Sequence, residues 1–292
     1  NLSSCSLSGS ISPSLALLPS LSLLDLSHND FSGPIPSSLR KLTHLQHLDL
    51  SDNNLSGPIS PSLFTQPPNS SSSLTFLDLS DNTLISGHIP TSLILNSPNL
   101  RTLRLQHMSL SGVVPPELWT HLPALQHLYL FQVSIPPLLS ISPTSFPPSA
   151  NFSFCATIQV LVLAGLNASG ASFPSSLGDC QQLHTLTFSI MGLQGSIPPS
   201  IWQLPHLQSL VIVDLDMIGA VDNNTPPYKL YWSLPSTFGF CGDAGSTIQV
   251  MYIVAINLTG NIPTSIATCA SLHTLVLSLT NLEGSIPCSL GS

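Results

Sequence analysis

Leu21-Ser-Leu-Leu24-Asp-Leu26-Ser-His-Asn29-Asp-Phe31-Ser-Gly33-Pro-Ile35-Pro36 is answered, 24 residues on, by Leu45-Gln-His-Leu48-Asp-Leu50-Ser-Asp-Asn53-Asn-Leu55-Ser-Gly57-Pro-Ile59. The frame returns from Leu74 through Asn82, Gly87 and Pro90, and its strand starts recur at Leu100, Leu125, Ile158, Leu183, Leu207, Ile248 and Leu272. Self-similarity at a fixed short period means a stack of coils, because no single coil can bury its own apolar edge. In Leu-x-x-Leu-x-Leu the leucines of a short strand point into the coil and the intervening residues point out. Strands of successive coils then pair in parallel, about 4.8 Å apart. The Ile-Pro-x-x-Leu-x-x-Leu segment, with its spacing of three, predicts a return path of 3-10 turns.

The complete frame, Leu-x-x-Leu-x-Leu-x-x-Asn-x-Leu-x-Gly-x-Ile-Pro, predicts a leucine-rich-repeat solenoid. Short parallel strands form its concave face and 3-10 or irregular segments its convex side. One solenoid of about ten repeats, with partial repeats at both ends, is expected over residues 1–292. Leu2 matches Leu26, and neither end carries the atypical sequence of a cap, so the chain reads as a piece of a longer ectodomain. Insertions lengthen the period at 66–73, 134–157 and 222–247, the last with Tyr228 and Trp232 as candidate ligand anchors. Such inserts serve either as binding-face loops or as tolerated surface loops.

Composition narrows the function. Charged residues make up 6% of the chain and the net charge is −8, which argues against nucleic acid, a partner that demands a basic footprint. No apolar run reaches the ~18 residues of a membrane span, so no membrane contact by this segment is expected. Sequons at Asn1, Asn54, Asn69, Asn151, Asn167, Asn223 and Asn257 point to a secretory route and are the candidate glycosylation sites. Serine, histidine and aspartate are plentiful but fall on repeat columns. No phosphate loop, nucleophile elbow or His-Glu-x-x-His stands out, so neither an enzyme nor a cofactor is expected of this stretch.

Asn29-Asp-Phe-Ser-Gly-Pro-Ile-Pro36, Asn53-Asn-Leu-Ser-Gly-Pro-Ile59, Asn257-Leu-Thr-Gly-Asn-Ile-Pro263 and Asn281-Leu-Glu-Gly-Ser-Ile-Pro287 resemble the plant-specific subtype of extracellular leucine-rich repeats. That subtype includes receptor-like kinases, receptor-like proteins and polygalacturonase-inhibiting proteins. The resemblance implies a right-handed, twisted superhelix, a ligand read along the concave face, and a second leucine-rich-repeat protein as co-receptor. It also implies an extracellular place, either plasma-membrane anchored in a longer protein, where a kinase domain could follow, or secreted. The strand-end asparagines of the family bond turn backbone. Here that column reads Cys5, Asn29, Asn53, Asn82 and then Met108, Val133, Leu166, Met191, Leu215, Ile256 and Thr280, so a more irregular stack is expected after Asn82.

The outward positions carry the candidate site. Between the last two strand leucines stand Asp25, Asp49, Asp78, Arg104, Tyr129, Val162, Thr187, Val211, Tyr252 and Val276. The next column is Ser27, Ser51, Ser80, Gln106, Phe131, Ala164, Ser189, Val213, Val254 and Ser278. Its later, apolar part either binds a partner or reflects the β-propensity of valine and tyrosine. The expected ligand is a peptide or small apolar molecule. Tyr129, Phe131, Val211, Val213, Tyr252 and Val254 would give apolar contact, and Arg104 would read an anionic group. The alternative is a secreted inhibitor of a cell-wall hydrolase that uses the acidic columns as a protein–protein surface. His28, Asp52, Asp81 and His107 have metal-ligand chemistry but form a row, so they are expected to be a solvated face, with no metal. Cys155, Cys180, Cys241 and Cys269 occupy an inward-pointing column and are expected to be free apolar side chains, although Cys155 with Cys180 and Cys241 with Cys269 lie on adjacent coils whose spacing also permits a bridge.

Overall fold

The computed structural model describes residues 1–65, 72–132, 139–142, 152–169, 171–193, 195–214, 232–241, 246–255 and 258–288. The chain forms two compact units, residues 1–140 and 141–292.

In the first unit the repeat leucines build parallel strands at Leu23–Asp25, His47–Asp49, Phe76–Asp78, Thr102–Arg104 and His127–Phe131. Leu24, Leu48, Leu77, Leu103 and Leu128 stand in register and are buried, which puts Asp25, Asp49, Asp78, Arg104 and Tyr129 in one outward row. The return path is helical as the spacing of three requires: 3-10 turns at Pro13–Leu17, Ser37–Lys41 and Pro61–Phe64, and short α-helices at Thr91–Leu95 and Glu117–Thr120.

Asn29, Asn53 and Asn82 are buried and act as rungs between coils. Asn53 Nδ2 donates to the carbonyls of Leu50 and Ser51 in its own coil and of Leu26 in the preceding one, and its Oδ1 accepts the Phe31 N–H at 3.0 Å. Asn82 repeats the pattern with Leu79, Ser80, Leu50 and the Leu55 N–H. These bonds satisfy turn backbone that would otherwise be buried without partners. Beyond each asparagine the chain enters a second parallel sheet, Ser8–Ser10, Asp30–Gly33, Asn54–Pro58, Leu84–Gly87 and Ser109–Leu110. Its register slides by two residues per coil, setting each glycine opposite the apolar residue that precedes the next coil's glycine. Gly112 shows why glycine holds that corner: its φ is +84°, and a Cβ there would stand 2.2 Å from the His88 ring.

In the second unit the outward strands are Val160–Ala164, Thr185–Ser189, Ser209–Asp214, Val250–Ala255 and Thr274–Ser278, again parallel and in register. They run to five or six residues, against three in the earliest coils. The outward strands of this unit therefore lengthen, while among the described residues the second sheet is divided after Asn82: Gly112–Val113 pairs with Leu139–Ser140, and Leu258–Asn261 with Trp232–Ser233 and Asn281–Glu283. In the early coils Asp25, Asp49 and Asp78 take the N–H and hydroxyl of the serine two residues on, and the asparagine takes the following carbonyls. Such side-chain bonds take backbone groups that a regular ladder would use, while inter-coil bonds continue at the alternate residues, from Leu26 N–H to Asp49 and from His28 N–H to Ser51. Where Tyr-Leu-Phe, Val-Leu-Ala or Val-Ile-Val replaces Asp-Leu-Ser the strands run to five or six residues, whereas at Arg104-Leu-Gln106 the strand still has three. Trp202, Phe238 and Phe240 pack together in this unit's core.

The cysteines overturn their expected role as free side chains. Cys155–Cys180 and Cys241–Cys269 are disulfides, with Cα separations of 4.1 and 4.4 Å. Pointing into the coil does not isolate a cysteine from its neighbour, since the next coil presents the same column one coil spacing away. Cys5 and Cys288 are free and exposed.

Candidate functional site

The first unit's outward row is not uniformly open. Asp25 and Asp49 are half-buried, while Asp78 is 3% exposed, and Ser27, Ser51 and Ser80, expected to face out, are buried beneath their aspartates. Burial pushes the Asp78 carboxyl above its usual range, against the lowering effect of the Ser80 bonds and of Arg104. Arg104 is held on three sides. Nη1 meets Asp78 Oδ2 at 3.3 Å, and the guanidinium carbon lies 5.0 Å from the Tyr129 ring centre and 5.9 Å from that of Phe76. Phe76 in turn stacks on His47 at 4.1 Å, with 6° between the planes.

Four successive coils thus present His47, Phe76, Arg104 and Tyr129 as one run of flat groups. Phe131 lies a column over, edge-on to His107 at 4.9 Å. The structure brings together Arg104 and Tyr129, as the sequence led one to expect, and adds His47 and Phe76. Their signal was legible: they hold the outward position just before the second strand leucine, a column that also contains His127. Burial, with the nearby Arg104 charge, depresses His127 below the ordinary imidazole value.

The row of metal-type residues resolves into two pairs. His28 Nδ1 bonds Asp52 at 2.7 Å and His107 Nδ1 bonds Asp81 at 2.6 Å, each pair joining adjacent coils. All four have φ between 51° and 58°, the sharp turn that ends the outward strand. The hydrogen bond to Asp52, reinforced by the charges of Asp52, Asp49 and Asp25, raises His28 above 6.5 although burial opposes it.

In the second unit Val162, Thr187, Val211, Tyr252 and Val276 share one outward row, and Ala164, Ser189, Val213, Val254 and Ser278 the next. No formal charge stands among them. Tyr252 is 37% exposed, and Val211 and Val213 are half-buried. Val254, expected to touch a ligand, is 7% exposed. It stands in register between Val213 and Ser278 and belongs to the packed floor of the face.

Tyr228 and the sequons at Asn69, Asn151, Asn223 and Asn257 lie outside the described residues, as does the side chain of Trp232. The backbone of Trp232 opens the short strand Trp232–Ser233, paired with Leu258–Asn261. Asn1 and Asn54 are exposed. Asn167 is half-buried, and its Oδ1 accepts the Ser169 N–H at 3.1 Å. Among the described residues no helix is long and apolar enough to cross a membrane, and no three His, Cys, Asp or Glu side chains converge as a metal site.

The leucine-rich-repeat family pattern matches residues 20–42, 44–65 and 73–94. Receptor like protein 22 of Arabidopsis thaliana is 33% identical over 198 residues, covering 67% of this chain and 22% of the relative. Receptor-like protein 9DC1 of Solanum pimpinellifolium is 28% identical over 213 residues, covering 73% and 22% respectively. The chain thus spans 22% of the length of each. Among solved structures, the plant peptide hormone receptor RGFR1, in complex with RGF2, superposes with a TM-score of 0.61 at 26% identity, covering 99% of this chain and 53% of that one.

Proposed function

The chain is a leucine-rich-repeat protein with plant receptor-like proteins among its relatives, and from that premise we propose that it is a recognition segment of an extracellular plant receptor, binding a peptide or small apolar ligand on its outward strand faces. The carrying observation is the charge-free second-unit face, where Val211, Tyr252 and Val276 stand in register with Tyr252 exposed. A sheet face left apolar and open toward solvent is unusual for parallel strands and fits a surface that is covered when in use. In the first unit Arg104 and Tyr129 supply an oriented guanidinium against an aromatic face, with Phe131 a column over. RGFR1, captured with a peptide hormone, supports a peptide as the ligand. A second leucine-rich-repeat protein would act as co-receptor. The segment works by binding, not by catalysis. Its place is the outer face of the plasma membrane, or the extracellular space if the protein is secreted.

The test pans a random linear peptide library on the wild-type chain and on Val211→Asp/Tyr252→Asp. Both side chains reach solvent, so the double variant keeps the fold, which circular dichroism checks. Peptides that bind the wild type and lose at least tenfold in affinity on the variant support the reading. Peptides that bind both equally, or no enrichment on the wild type, refute this placement of the site.

A further inference from the structure

We propose that the second unit is locked by oxidation: its two inter-coil disulfides replace the asparagine ladder of the first unit, so that a dithiol reductant loosens the second unit and leaves the first intact. Two observations carry this: the asparagine rungs all lie in the first unit, and the two disulfides both lie in the second. In the first unit Asn29, Asn53 and Asn82 each bond backbone of both their own and the preceding coil, and Cys5 is that unit's single cysteine. The ladder ends at Asn82: the same column holds Met108 late in the first unit and Leu166 and Met191 in the second, all buried and apolar, and Thr280 near the end. In the second unit the cysteines pair between adjacent coils. Cys155–Cys180 ties the coil of Val160–Ala164 to that of Thr185–Ser189, and Cys241–Cys269 ties the coil of Val250–Ala255 to that of Thr274–Ser278.

The bridges close loops of 25 and 28 residues. Loops of that size restrict the unfolded chain enough to shift the folding equilibrium on the order of 100-fold per bridge. The asparagine rungs act by hydrogen bonds and are indifferent to redox state, so the two units respond differently to one reagent. Access also differs between the bridges. Cys155 is half-buried, whereas Cys180, Cys241 and Cys269 are 0%, 7% and 5% exposed, so Cys155–Cys180 opens first. A thiolate of the dithiol attacks Cys155 Sγ, and the Cys180 sulfur leaves as thiolate and takes up a proton. The second thiol then displaces Cys155 and closes the reductant's own disulfide. Two electrons pass from reductant to cystine at each bridge, and every sulfur is accounted for.

The experiment uses the whole chain with Cys5 and Cys288 first alkylated, and follows amide hydrogen exchange by mass spectrometry with and without dithiothreitol. The expected result is exchange faster by on the order of 100-fold in Thr185–Ser189, Ser209–Asp214 and Val250–Ala255, with His47–Asp49, Phe76–Asp78 and Thr102–Arg104 unchanged. Cys155→Ala/Cys180→Ala, left oxidised, should reproduce the effect around the first bridge alone. The proposal is overturned if the second unit keeps its protection once intact mass shows both cystines reduced. Equal loosening of both units overturns it as well.

Discussion

Replacing Asn53 with alanine removes one side chain and four inter-residue hydrogen bonds. Three are donated to carbonyls that each keep a second partner: Leu26 retains Asn29, Leu50 retains Asn82, and Ser51 retains the His28 N–H. Each of these losses costs about 0.5–1 kcal/mol net. The fourth is of another kind. Phe31 N–H bonds Asn53 Oδ1 at 3.0 Å in a buried site, and without it the donor is left unmade, at about 1–3 kcal/mol. The sum is roughly 2.5–6 kcal/mol, a large part of a typical domain's stability. Asn54→Ala is the control: the neighbouring side chain is exposed, and its removal should stay within about 0.5 kcal/mol. Urea unfolding of both variants, with exchange protection of the Phe31 amide followed in parallel, decides the matter. A cost below about 1 kcal/mol for Asn53→Ala, or one equal to that of Asn54→Ala, would refute the rung reading.

Three further outcomes follow from the same geometry. Gly112→Ala should destabilise the first unit by about 1–2 kcal/mol from its left-handed φ alone, and more from the clash with His88. Gly112→Ala/His88→Ala should recover only the second part, which separates the two causes in a melting experiment. Asp52→Asn should return the His28 titration, read by NMR, toward 6.5, because the bond to Asp52 is the main cause of its raised value. Since the folded value is raised, the pair's stabilisation is complete below pH 6.5 and lost as pH rises through the folded value, so the variant's deficit should shrink on the alkaline side. The pair is well exposed and the effect small. Tyr129→Ala should release one face of Arg104 and weaken an anionic peptide that uses it, while Tyr129→Phe keeps the ring and should not; equal losses would show that the hydroxyl, not the ring face, matters.

Much of the architecture was legible because a repeat states its own period. The leucine columns set the strands, their register and their buried side, and Ile-Pro with a spacing of three set the helical return path. Arg104 and Tyr129 were legible as neighbours for the same reason: consecutive outward positions in consecutive coils can only be adjacent. His47 and Phe76 were present in the pattern but one column away from the row singled out, and the stack they complete emerges from ring orientation, which spacing does not encode.

What only the tertiary structure decided concerns distances between side chains of different coils and the competition for backbone groups. Whether inward cysteines bond depends on a Cα separation near 4 Å, which a column assignment does not measure. Whether Val254 can meet a ligand depends on how closely Val213 and Ser278 flank it, not on its parity along the strand. How long each outward strand runs once the asparagine is gone depends on pairing with the neighbouring coil, which reaches five or six residues in the second unit. The sequence by itself determined the fold, because periodic burial is a one-dimensional signal. The structure decided which outward residues are open, since exposure is set by contacts between coils that no single repeat contains.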